Sequence, residues 1–429
     1  MHIIVVGAGI SGTVTALTLM RDGHSVEIIE GAHAPATGAS FANAGLISPG
    51  HCFSWAEPGI VGIAVKSMLG LGDGIGIHGP WTPALARWAT LFAREATRER
   101  WLANSKAALA LSCYSRDLQF GHCDIPNADY GGRLSGILYL YEEGQTPGPY
   151  DATLLREAGE PFEELDSASL LEQEPPLLAA RVKFAKGIYC SQDGTGDAAL
   201  YASAAMNRAI ELGATVRFDE RVLGFDVQDG VAKGLHTDKS YRQGDAVVVA
   251  AGLASRQLMR SIGHNLPIHP VTGYSISYPA PPGRRSSVGA VSIRHKVAWA
   301  SFGETLRFTG FADVGIPDGP VMQTQFAALK NFAEKVCPDI QDVTPLQWVG
   351  QRPMTPDNLP FLGASHIPNI FLNCGHGAMG WTMACGSARI VSDLIADRRP
   401  VIDLAPYKWD RYGLIGRRSV KPTSSCFTS

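Results

Sequence analysis

The first thirty residues constrain this chain most. Ile3-Ile4-Val5-Val6 is a β-branched run that passes straight into Gly7, Gly9 and Gly12, spaced G-x-G-x-x-G. β-Branched side chains favour a strand, and the glycines demand a tight turn into a helix. Val14, Leu17 and Met20 keep helical spacing, Gly23 closes the helix, and residues 25–29 read as a second strand ending at Glu30. In such a β-α-β unit Gly7 permits the turn, Gly9 lets backbone approach a pyrophosphate, and Gly12 lets helix pack on strand. The free N–H groups of the first helical turn, with Ile10 and Ser11, face the phosphates. Glu30, 18 residues after Gly12, stands where an acid holds an adenosine ribose hydroxyl. The competing reading is a glycine-rich core turn that binds nothing, with Glu30 a solvated strand end.

A chain of 429 residues has room for two domains and a large core. A net charge of −3 with no long basic block gives nucleic-acid binding little electrostatic support. None of the eight cysteines forms a C-x-x-C pair, so neither a metal site nor a disulfide scaffold is expected, and a reducing compartment is. No apolar run reaches the ~20 residues of a spanning helix. The expected location is cytoplasmic, with peripheral contact at the inner face of a membrane left open.

Further along, a small-residue loop carries Ser40, Asn43, Ala44 and Gly45, then Ser48-Pro49-Gly50. Residues 55–80 read as irregular with a short helix near 63–69, and 83–120 as mainly helical. Residues 187–193 read as a return to the nucleotide-binding sheet. A helix over 197–212, a hairpin beginning at Val222, and a buried strand over 246–249 running to Gly252 follow. Residues 267–282 and 292–312 read as β-rich, 321–336 as a helix, and 348–360 as a loop holding Arg352. A short strand at 370–373 leads into Gly375-His376-Gly377 and a helix over 381–396, and the tail beyond 413 is expected to fray. The fold class expected is α/β, a Rossmann-like domain of discontinuous segments (1–82, 187–262 and 348–412) with an inserted β-rich α+β substrate domain (83–186 and 263–347).

Together GAGISG, SFANAGLISPG, VVVAAG, GQRPMTPD and NCGHGAMGWTMACGS resemble the D-amino-acid dehydrogenase branch of the flavin-dependent amine and amino-acid oxidoreductases, over roughly residues 1–412. The resemblance implies FAD. It implies pyrophosphate and ribose contacts at Gly7, Gly9, Gly12 and Glu30, a flavin-side loop at Ser40, Asn43, Ala44 and Gly45, and backbone contacts at Val222 and Gly252. Gly375, Gly377, Met379 and Gly380 would face the flavin's pyrimidine edge. There a helix N-terminus offers N–H donors to charge on reduced flavin. Arg352 matches the arginine that pairs with a substrate carboxylate, Tyr274 lies on a strand lining the pocket, and His376 sits beside the flavin edge. Each has a bland counterpart: an arginine in a Pro-rich turn, a core tyrosine, a structural histidine donor.

The chain departs from its relatives at Thr272, where a lysine is usual before Gly-Tyr-Ser, and at His51-Cys52, which also raises covalent flavin attachment. The expected reaction is oxidation of a D-amino acid by hydride transfer to flavin, giving a 2-oxo acid and ammonia, with electrons passed to a quinone or another acceptor. Dehydrogenation of D-hydroxyproline or a cyclic imino acid, a glycine- or sarcosine-type oxidase, an NAD(P)H-dependent flavin hydroxylase and a subunit of a larger complex remain alternatives.

Overall fold

The computed structural model describes residues 1–68, 75–121, 125–148, 151–281 and 285–413. Its first sheet has six strands in the order Phe361–Ala364, Ile370–Cys374, Ala246–Val249, His2–Val6, Ser25–Ile29 and Thr215–Arg217. All neighbours are parallel except the outermost pair, Phe361–Ala364 with Ile370–Cys374. The strand His2–Val6 is central, and its side chains alternate between two cores. Ile3 and Val5 join the cluster that includes Val14, Leu17, Ala202, Ala205, Met383 and Ala384. These come from three helices, Ile10–Arg21, Ala198–Glu211 and Gly380–Ile395. Ile4 and Val6 point the other way, to a cluster with Val247, Val249 and Leu235. Leu235 belongs to a three-stranded antiparallel sheet, Val222–Gln228, Val231–Thr237 and Tyr241–Gln243.

The second layer is a nine-stranded sheet. Leu346–Met354, His269–Pro279, Thr305–Val314 and Val297–Phe302 lie side by side, each pair antiparallel. Ile75–Ile77 adds alongside Thr305–Val314. The helix Gly319–Val336 buries Phe326, Leu329, Phe332, Ala333 and Val336. That i, i+3, i+7 stripe packs in one cluster with Tyr274, Ile276 and Phe308 of the sheet. Asp318 caps this helix by accepting from the Val321 N–H at 3.0 Å.

The expected architecture is the one observed, with three local corrections. Of residues 348–360, only 355–360 are loop, while 348–354 are strand. Leu346–Met354 is a nine-residue strand paired along its length with His269–Pro279. Gly350 and Pro353 weaken local strand propensity, and pairing with a distant partner supplies the order. Lys186–Cys190 does not rejoin the nucleotide sheet. It pairs with Ile137–Tyr141 and Glu163–Asp166 in the larger sheet. The short helix after Trp55 starts earlier than expected, at Ile60–Met68. The tail beyond 413 lies outside the described residues.

Candidate active site

A cavity of about 1470 Å³ runs between the two layers. It exceeds the ~300–1,000 Å³ of a pocket for one small molecule, so it has room for a dinucleotide and a substrate together. Gly7, Gly9, Ile10, Ser11, Glu30, Ser40, Asn43, Ala44, Val222 and Gly252 line it. So do Tyr274, Arg352, Gly375, His376, Gly377 and Gly380. Gly12, Gly45 and Met379 stand behind the wall and act on packing. A Cβ on Gly12 would meet the Gly7 carbonyl oxygen at 1.9 Å, and one on Gly45 would meet the Phe302 ring at 2.4 Å. Met379 belongs to the helix-side core.

The glycine turn is built for a ligand. Gly7 has φ +106°, and a Cβ there would stand 2.6 Å from the Ala250 carbonyl oxygen. Gly9 differs: its missing Cβ would meet only Ser40 Oγ, at 3.5 Å. Space beside Gly9 is therefore open groove. The N-cap Gly9 has no side chain to cap the helix Ile10–Arg21, so the first-turn N–H groups beyond Ile10 are left toward that groove. Ser40 Oγ accepts from the Ile10 N–H at 3.1 Å. Glu30 is anchored by the N–H groups of Ala8 at 2.6 Å and Ala32 at 2.9 Å. Two buried polar atoms on the cavity wall, Trp381 Nε1 and Asn373 Oδ1, have no partner among the described residues. Buried polar atoms are rarely left so, and a bound cofactor would satisfy them.

Beside the glycine turn, Gly375 (φ +80°) and Gly377 (φ +56°) lead the chain into the helix Gly380–Ile395, whose N-cap residue makes no side-chain cap bond. His376 sits between them, buried, with Nε2 3.0 Å from Ser387 Oγ and Nδ1 3.5 Å from Ser11 Oγ. Burial pulls its pKa down to about 4, so the ring is neutral. It ties the two helix N-termini together.

Arg352 lies on the strand Leu346–Met354 and faces the cavity. Its Nη1 donates to the carbonyls of Phe311 at 3.0 Å and Thr272 at 3.4 Å. Its guanidinium carbon is 5.9 Å from the Trp55 ring centroid. Burial lowers its pKa to about 10, with Asp313 and Tyr274 opposing that shift, so it stays protonated at neutral pH. Among the described residues no carboxylate pairs with it. A half-buried guanidinium with no directly bonded carboxylate among the described residues can clamp an anion through two parallel N–H bonds. Tyr274 is fully buried and donates its hydroxyl to Asp313 Oδ2 at 2.6 Å, while its ring packs edge-on to Phe326. Asp313 is buried too and is met by His78 Nε2 at 3.1 Å and Gln325 Nε2 at 3.1 Å. Tyr274 therefore belongs to a buried polar hub beneath Arg352.

Several site residues had no signal in the sequence. Arg307 joins three segments: it donates to the Asn43 carbonyl at 3.2 Å, to Asp197 Oδ2 at 3.1 Å and to Ser277 Oγ at 3.0 Å. It thus fixes the loop of Asn43 to the larger sheet. Asp193 holds the turn Pro49–His51 by accepting from the Gly50 N–H at 3.0 Å and from the Tyr139 hydroxyl at 2.6 Å. His51 faces the cavity, whereas Cys52 does not and is buried, its thiol pushed up to about 12 by burial. Such a thiol is a poor nucleophile.

A glycine turn open at Gly9, two helix N-termini at the cavity and room for a dinucleotide define a dinucleotide-binding protein. Residues 2–394 match the family described as "DAO: FAD dependent oxidoreductase", and the chain belongs to it, with FAD as its cofactor. It is similar to the D-amino acid dehydrogenase of Rhizobium rhizogenes, 33% identical over 96% of this chain and 100% of that one. It is 34% identical to the D-amino acid dehydrogenase of Sinorhizobium medicae, with the same coverage of both chains. The fold is also that of glycine oxidase from Geobacillus kaustophilus (TM-score 0.69, 22% identity, covering 95% of this chain and 98% of that one). L-proline dehydrogenase from P. horikoshii shares it (TM-score 0.72, 18% identity, 97% and 99%). Among the described residues no helix is long and apolar enough to cross a membrane.

Proposed function

We propose that this chain catalyses the oxidative deamination of a D-amino acid. Arg352 carries the reading: it is a protonated guanidinium facing the cavity, tethered by carbonyls and bonded to no carboxylate among the described residues. The substrate's α-carboxylate takes that place in two parallel hydrogen bonds. Fixing the carboxylate directs the α C–H toward the groove between Gly9 and Gly377, and Trp55 closes the slot from the side of the guanidinium. When bound, FAD supplies the acceptor for the hydride that leaves the α-carbon. The amine loses a proton as the carbon–nitrogen bond becomes double, and water then releases a 2-oxo acid and ammonia. Placement does most of the work, since near-attack geometry is worth ~7–11 kcal/mol. The D-series is favoured by the relatives named D-amino acid dehydrogenase.

Electrons then leave to a quinone, at the inner face of a membrane. Support comes from apolar side chains at the cavity rim, Val61, Ile63 and Trp81, exposed by 41%, 49% and 59%. Exposed apolar clusters suit an apolar acceptor. Anaerobic mixing of the yellow holoprotein with D- and L-amino acids tests the reading. Bleaching by D-enantiomers, with recolouring by a soluble quinone faster than by oxygen, is expected; bleaching by neither hand would refute it.

A further inference from the structure

Two residues lining the cavity, one on a strand and one in the turn bonded to it, hold backbone conformations that their types resist. Phe311 has φ +62° and Lys296 has φ +52°. A bulky residue in this region is an outlier that surrounding structure must enforce, and such outliers gather at functional sites. The strand of Phe311 bulges here, its register slipping between Gly310 and Asp313 against Tyr274 and Thr272. The bulge has a consequence. The Phe311 carbonyl accepts from Arg352 Nη1 at 3.0 Å, and the Phe311 N–H donates to the Lys296 carbonyl at 3.4 Å. Phe311 therefore links the guanidinium's tether to the backbone of the turn that carries Lys296, and Arg352 and Lys296 line the same chamber.

Lys296 is exposed to the cavity, in the turn before the strand Val297–Phe302. Among the described residues no carboxylate pairs with it. Glu142, at the end of an adjoining strand, is taken by Arg294 and His295. His51 faces the same chamber, and its ring has no hydrogen-bond partner among the described residues. It is held in place from behind. Gly50 is tied to Asp193, and the Tyr139 ring, itself fixed by Asp193, lies 5.1 Å from the His51 ring. His51 is exposed to the chamber, but the protein walls around it desolvate the ring, and this first, with the Lys296 charge second, pulls its pKa down to about 4. A neutral imidazole offers one N–H beside a free ammonium.

We propose that Lys296 and His51 form a second anion-reading subsite, so that the substrate is an acidic amino acid with its α-carboxylate on Arg352 and its side-chain carboxylate on Lys296 and the His51 N–H. The inference rests on the amino-acid oxidation proposed above. An ammonium and a neutral donor without a competing anion are matched by a carboxylate, while an alkyl side chain would leave both polar groups desolvated and unpaired.

The experiment is anaerobic flavin reduction and steady-state turnover of the holoprotein with D-glutamate, D-aspartate and the near-isosteric D-glutamine, in wild type, Lys296→Met and Lys296→Arg. Wild type is expected to favour D-glutamate or D-aspartate over D-glutamine by about tenfold or more in kcat/KM, as a charge-assisted hydrogen bond allows. Lys296→Met should erase that ratio through KM, and Lys296→Arg should restore most of it. Equal use of glutamate and glutamine by wild type, or a ratio unmoved in Lys296→Met, overturns the subsite and leaves the oxidation reading standing. Absence of bleaching by every amino acid of either hand overturns both.

Discussion

A β-carbon on Gly273 would stand 2.4 Å from both terminal nitrogens of Arg352. The guanidinium lies flat against bare backbone on the strand next to its own, where Val271 rather than Gly273 is the register partner of Arg352. Gly273→Ala therefore moves the guanidinium and not the sheet, since only the far end of a flexible side chain must yield. KM for the amino acid should rise about tenfold to a hundredfold, the scale of one lost charge-assisted hydrogen bond, while thermal melting shifts by only a few degrees. Parallel kinetics and melting curves check this, and a collapse of the melting temperature with KM unchanged would contradict it.

Arg352→Lys keeps the charge and loses the fork. A lysine cannot hold the Phe311 carbonyl and both oxygens of a carboxylate in one plane. Expected is a fall in kcat/KM of roughly tenfold to a hundredfold, with the flavin spectrum and FAD affinity unaltered. Titration of apoprotein with FAD separates the two effects.

Gly9 and Gly12 predict opposite failures. A Cβ on Gly12 collides with the Gly7 carbonyl at 1.9 Å, whereas one on Gly9 meets only Ser40 Oγ at 3.5 Å. Gly12→Ala should lower the melting temperature of the apoprotein itself. Gly9→Ala should leave the apoprotein near wild type but fill the groove, weakening FAD binding about tenfold or more. Apoprotein melting and flavin fluorescence quenching distinguish them.

Asp193 makes stability depend on pH. Burial pushes its pKa up from the ordinary 3.8 to about 7, against the lowering effect of the bonds from Tyr139 and Gly50. The unfolded chain then releases this proton at lower pH than the folded one. Its contribution to stability is complete below about pH 3.8, falls as pH rises through the window to about 7, and is level above that. Asp193→Asn cannot ionise, so the fall in melting temperature between pH 5 and 8 should be shallower than in wild type. Identical slopes in the two proteins would rule the assignment out.

The nucleotide half was legible because its information is local. The run Ile3–Val6, the three glycines and Glu30 lie within one β-α-β unit, and the alternation of Ile3 and Val5 against Ile4 and Val6 needs no partner to be read. The helix-rich stretch after Pro83 shows its own periodicity and appears as Pro83–Glu95 and Arg98–Gly121. What stayed hidden depends on distant chain. Leu346–Met354 has the composition of a loop and becomes a strand only against His269–Pro279. Arg307 looks like any surface charge until Asn43 and Asp197 close around it. Tyr274 was visible as a pocket-strand residue, but its hydroxyl goes to Asp313, a residue that nothing near it in sequence marks out.

Arg352 is tethered by the carbonyls of Thr272 and Phe311, main-chain atoms that no point mutation can delete. Lys296 and His51, by contrast, are ordinary side chains carried on turns. A lineage built on this chamber can keep a constant handle while exchanging the opposite wall one codon at a time. Descendants with different diets would then share one scaffold, and their divergence would be written in a few turn residues.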